Sequence, residues 1–126
     1  MMKRIMAITV AHASQRYPTV GDYTDQHGCT LFSISDMGNE KYEYLVLVHE
    51  LIEKILVDAR GISVQAIDDF DSQFETDRDP GDESEPGHDT RSPYRREHVF
   101  AERIERLLAD ELGVDWDDYD KVVGAL

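Results

Sequence analysis

One segment limits the folds open to this chain. Between Glu40 and Ala59, Leu45, Val48, Leu51, Ile52, Ile55, Leu56 and Ala59 recur at helical spacing, with no proline or glycine to interrupt them. So long an apolar stripe predicts a central helix over 40–59, and Gly61 stops it. Ser63 then caps a second helix over about 64–76, which carries Val64, Ile67, Phe70, Asp71 and Phe74. Ser92 caps a third helix with Pro93 at its first position, running to about 112 and ending at Gly113. A fourth, over about 115–123, packs Trp116, Tyr119, Val122 and Val123.

The residues before the central helix read as sheet. Residues 3–11 predict a strand, and Cys29–Ser35 alternates Phe32 and Ile34 against Leu31, Ser33 and Ser35. Asp25-Gln26-His27-Gly28 predicts a hairpin turn, with Gly28 taking the left-handed dihedral. Pro18 and Gly21 exclude a helix over 16–23 and predict a loop or an irregular sheet edge. Together these give an α+β chain: a small three-stranded antiparallel or mixed sheet, then three to four helices. The 126 residues suit a single domain over 1–126. Residues 77–91 hold two Pro-Gly pairs and almost nothing apolar, so they predict a long acidic surface loop.

Charge narrows the function classes. Thirteen Lys and Arg against 27 Asp and Glu leave a formal net charge of −14, which argues against binding a nucleic-acid backbone or an anionic lipid surface. A lone cysteine, Cys29, excludes an internal disulfide framework and a cysteine-rich zinc module. No run reaches the roughly 20 apolar residues of a membrane helix. No targeting segment is visible either, so a cytoplasmic protein is expected.

Two helices concentrate the chemistry-bearing residues. His49 and Glu53 stand four apart on the central helix, so an imidazole and a carboxylate share one face and can bind one Zn²⁺ or another divalent ion. Glu50, rotated by about 100°, stands beside such an ion rather than in the pair; it also has an i,i+4 partner in Lys54. On the third helix Glu97 falls with Ala101, Ile104 and Leu108 on the apolar stripe, where a carboxylate needs a metal or an arginine such as Arg95, Arg96 or Arg103. His98 and Glu102 repeat the His49 and Glu53 spacing. His12, His27 and His88 read as surface residues, His88 being the best outside candidate because it sits among acids.

The run Val48-His49-Glu50-Leu51-Ile52-Glu53, preceded by the strand Cys29–Ser35 and followed by Glu97-His98-Val99-Phe100-Ala101, resembles the small zincin-like metallopeptidases of the gluzincin, ImmA/IrrE-type kind over about residues 29–112. In that family a strand precedes a helix bearing H-E-x-x-H, and a later helix brings a glutamate just ahead of a Phe-Ala pair. The resemblance implies a zincin-like fold, His49 as first ligand, Glu50 as general base and Glu97 as third ligand. Glu53 stands where the family has its second histidine. His98, next to Glu97, offers a two-histidine, one-carboxylate set with the roles exchanged, so both residues remain candidates for the third ligand. The chain also resembles short reading frames of bacterial phages and prophages.

Two functions are expected from these features. The first is a phage-type metal-binding zincin-like protein, with metal-assisted hydrolysis as its chemistry. The second is a non-enzymatic acidic protein that inhibits a host protein or mimics its ligand, steered by charge. Residues 66–90 hold ten acids against Arg78, a net of −9, mostly on the second helix and the 77–91 loop, a placement that favours solvation over mimicry.

Overall fold

The computed structural model of this chain describes residues 2–126. Its three strands are β1 (Arg4–Val10), β2 (Gly21–Gln26) and β3 (Cys29–Ser35). β3 lies in the middle, parallel to β1 and antiparallel to β2, so the sheet is mixed. The β2–β3 hairpin turns on His27 (φ 52°) and Gly28 (φ 73°), two consecutive left-handed residues that match the twist of the paired strands. That turn sets Gln26 opposite Cys29 and Asp25 opposite Thr30.

β2 enters where a loop or irregular edge was expected over 16–23. Gly21 opens the strand, and the helix covering it leaves no room for a side chain: a Cβ there would lie 2.7 Å from Glu50 Cγ and 2.8 Å from Val46 Cγ1. The glycine is therefore a close-approach position, not a break. Asp22 is buried in the strand because Arg16 reaches it with two hydrogen bonds of 2.7 and 2.8 Å.

Four α-helices follow: α1 (Glu40–Ala59), α2 (Val64–Thr76), α3 (Arg95–Glu111) and α4 (Trp116–Gly124). Asn39 caps α1 by accepting from the Tyr42 N–H at 3.2 Å, Ser63 caps α2 through Ala66, and Asp115 caps α4 through Asp118. α1 ends with Gly61 at φ 68°, where Gly61 N–H donates to Asp58 and Ile62 N–H to Val57. This six-to-one and five-to-two pair closes the last turn, and Gly113 does the same after α3. α3 begins later than Ser92 and Pro93 predicted. Ser92 Oγ accepts from Tyr94 N–H at 3.3 Å, holding an irregular turn before the helix starts at Arg95.

The packing shifts the faces read from sequence. On α1 the most buried line is Leu45, Val46, His49, Glu53 and Val57, while Ile55 is 52% exposed. On α3 it continues from the N-cap Tyr94 through His98, Ala101, Glu105 and Ala109, while Leu107 is 63% exposed. The two small residues on α3, Ala101 and Ala109, let α1 come close. One apolar cluster is built on Phe32, Val57, Ile67 and Tyr94, and another on Ile34, Leu45, Ala109 and Tyr119. Between the two clusters, polar residues face each other across the α1–α3 interface. No helix among the described residues is long and apolar enough to cross a membrane.

Candidate metal centre

The α1 line brings His49 and Glu53 to the interface one turn apart, and the α3 line brings His98 and Glu105 to meet them. His49 Nε2 lies 3.1 Å from His98 Nδ1 and 3.1 Å from Glu53 Oε2. The third side of this triangle, His98 Nδ1 to Glu53 Oε2, is 3.0 Å. All three residues are buried. Ligands held 2.0–2.1 Å from a tetrahedral ion stand roughly 3.3–3.4 Å apart, so the triangle is close to one face of such a coordination shell. Two imidazoles and a carboxylate suit zinc and its neighbours in the first transition row better than calcium or magnesium.

The other nitrogen of each ring is held from behind. His49 Nδ1 donates to Glu105 Oε1 at 2.7 Å, and Tyr119 OH donates to the same carboxylate at 2.5 Å. His98 Nε2 donates to Glu85 Oε2 at 2.8 Å. With those N–H groups engaged, the tautomer assigned to each neutral ring turns a lone pair inward. Three lone-pair atoms then converge with no donor among them. Such a cluster is stable only around a cation, either protons or a metal.

The titration behaviour follows from the same contacts. Burial alone would lower the histidines. Hydrogen bonds to Glu105 and Glu53 outweigh it and hold His49 well above its ordinary range. Glu53 and Glu85 likewise outweigh burial to raise His98 to about 9. Burial opposes ionisation of Glu53, but the two imidazoles bonded to it win and draw it down. Without a metal, protons therefore occupy the position between the rings, and a metal taken up there must displace them.

Glu50 stands outside this network, over Gly21. Burial first, and the charge of Glu53 second, push it up to about 8. Beside it opens a cleft of about 460 Å³, whose walls include Tyr17, Asp22, Glu50, Glu53 and His98. Tyr23 is also among the residues around this cleft, and its buried OH is the one buried side-chain polar atom without a hydrogen-bond partner among the described residues.

The remaining candidates are placed elsewhere. Glu97 is buried on α3, but its Oε2 accepts from Arg60 Nη1 at 2.6 Å, so it is not among the converging ligand atoms. Its partner comes from the end of α1 rather than from Arg95, Arg96 or Arg103 on its own helix. Lys54 turns away from Glu50 to Asp25 and Asp58. Glu102 lies 3.4 Å from His88 Nε2. His88 is an exposed residue, as expected, but stands beside the site. Sequence reasoning missed Glu105 and Glu85. Glu105 had a usable signal, since it follows His98 by seven residues and Ala101 by four, on one helix face. Glu85 had none, because a carboxylate in an acidic loop looks like its neighbours.

Comparison with protein-family models, curated proteins and solved structures finds no match to this chain.

Proposed function

We propose that the protein binds one divalent transition-metal ion, of the zinc type, through His49 Nε2, Glu53 and His98 Nδ1, and uses it for hydrolysis as a zincin-like domain. One observation carries this reading: three ligand atoms converge at 3.0–3.1 Å between α1 and α3 while carboxylates hold the outer nitrogens of both rings. A bound ion of this type supplies Lewis acidity, which acidifies water and polarises a substrate carbonyl. The chain's own residues do the rest. Glu105 and Tyr119 orient His49, Glu85 orients His98, and Glu50 at the cleft wall, its carboxyl raised to about 8, takes up a proton once it is ionised.

Glu53 in place of a second histidine keeps three protein ligands of the types used in catalytic zinc sites. Glu50→Gln separates binding from chemistry. The variant should keep the metal of the wild type and lose turnover in a screen of peptide and ester substrates. Loss of the metal itself would place Glu50 among the ligands and remove the base from this account. Absence of metal from wild-type protein equilibrated with zinc would end the reading altogether.

A further inference from the structure

Most of the 77–91 segment is exposed, as a surface loop should be, but its Glu85–His88 stretch returns to the His98 ring. Its short 3-10 turn, Pro86–His88, sits directly on the His98 ring. A Cβ at Gly87 would lie 2.3 Å from His98 Cγ and 2.5 Å from Nδ1, so no other residue lets the chain pass there unchanged. Arg95 Nε donates to His88 O at 3.2 Å and fixes the turn to the start of α3. The turn sets Glu85 and His88 on the far side of the His98 ring from His49. His98 Nε2 is 2.8 Å from Glu85 Oε2, and His88 Nε2 is 4.0 Å from that oxygen and 3.4 Å from Glu102 Oε1. One ligand atom from each of Glu85, His88 and His98 falls within 4.8 Å of the others.

Charge points the same way. Two buried acids nearby have arginine partners: Asp22 has Arg16, and Glu97 has Arg60. Glu53, Glu85 and Glu105 have only imidazoles as basic partners, and Glu102 has Arg106 no nearer than 3.9 Å. These make four carboxylates around three histidines, so one divalent ion leaves a net deficit of positive charge that a second would largely remove.

We propose that Glu85, His88 and His98 Nε2 hold a second divalent cation, with Glu102 beside it, so that the His98 imidazole bridges two ions. This rests on the reading that His49, Glu53 and His98 Nδ1 hold the first. Bridging requires His98 to give up its Nε2 proton, which passes from the Glu85 hydrogen bond to solvent as the ion binds. Two imidazoles in the donor set select zinc, copper or nickel over calcium and magnesium. The acidic segment is then the wall of a two-ion centre.

Equilibrium dialysis of the full chain against buffered free zinc, with metal counted by emission spectroscopy, tests this. Wild type should saturate at two ions per chain and His88→Gln at one, since His88 is 40% exposed at its side chain and lies outside the first triangle. Thermal melting checks that the variant is folded. Saturation of wild type at one ion, or of His88→Gln at two, overturns the second site and leaves the first standing. No zinc in wild type overturns both.

Discussion

Removing the Arg60 guanidinium should destabilise the protein strongly without touching its metal content. Glu97 is 4% exposed, and its ion pair with Arg60, at 2.6 Å, is its one charged contact. Taking away one partner of a buried pair costs about 3–5 kcal/mol, because the remaining charge is left unsolvated. The Arg60 side chain is 35% exposed, so water screens part of the interaction and about 2–3 kcal/mol is the better figure. For 126 residues the unfolding entropy is about 0.26 kcal/mol/K, so Arg60→Met should lower Tm by about 8–11 °C. Glu97→Gln removes the charge that needs a partner and should cost only about 1 kcal/mol. The double variant should recover most of the loss seen in Arg60→Met. Calorimetry gives the melting temperatures, and emission spectroscopy gives the metal. A shift of under about 2 °C for Arg60→Met, or loss of metal in Glu97→Gln, would show that Glu97 serves the metal and not the fold.

Other contacts give sharper local tests. Burial raises the Asp71 carboxyl to about 7, while Tyr94 OH donates to it at 2.6 Å. The folded protein keeps that proton up to about pH 7 and the unfolded chain releases it near 4, so wild-type stability falls as pH rises through this window. Asp71→Asn should therefore match wild type at pH 4 and exceed it by about 2–4 kcal/mol at pH 8 in denaturant titrations; a constant difference at both pH values would contradict this. Glu105→Gln should weaken zinc binding by about 10–100-fold in chelator competition while leaving the saturating number of ions unchanged, because it orients His49 without contacting the ion. Gly21→Ala should destabilise by about 1–3 kcal/mol, since its Cβ meets Glu50 and Val46, and an unchanged denaturation midpoint would mean α1 is not seated on β2 as described.

The sequence carried the element types well because its punctuation is strong. Gly61 and Gly113 end helices at left-handed residues, Ser63 and Asp115 cap them, and His27-Gly28 makes the hairpin. The faces were harder to read. Apolar spacing on α1 pointed to Ile55 and Leu56, yet the deepest line runs through His49 and Glu53, since the stripe is wide enough to be turned by what packs on it. β2 was hidden by Pro18 and Gly21, whose role depends on the helix above. At the site, His49, Glu53 and His98 follow from i,i+4 spacing on two helices. Glu97 was the wrong neighbour of His98 for this cluster, because one residue turns a helical side chain by about 100° and here aims it at Arg60. Glu85 and His88 could be placed only by the path of the 77–91 segment, which no local pattern specifies.

Metal content of the purified chain and of two variants tests the central claim most directly. Wild-type protein equilibrated with zinc and then dialysed should retain it. His49→Ala and His98→Ala, one on each helix, should each lose the ion of the His49–Glu53–His98 triangle, while Glu97→Gln keeps the wild-type content. Zinc-free wild type, or full zinc retention by either histidine variant, would contradict a metal centre shared between α1 and α3.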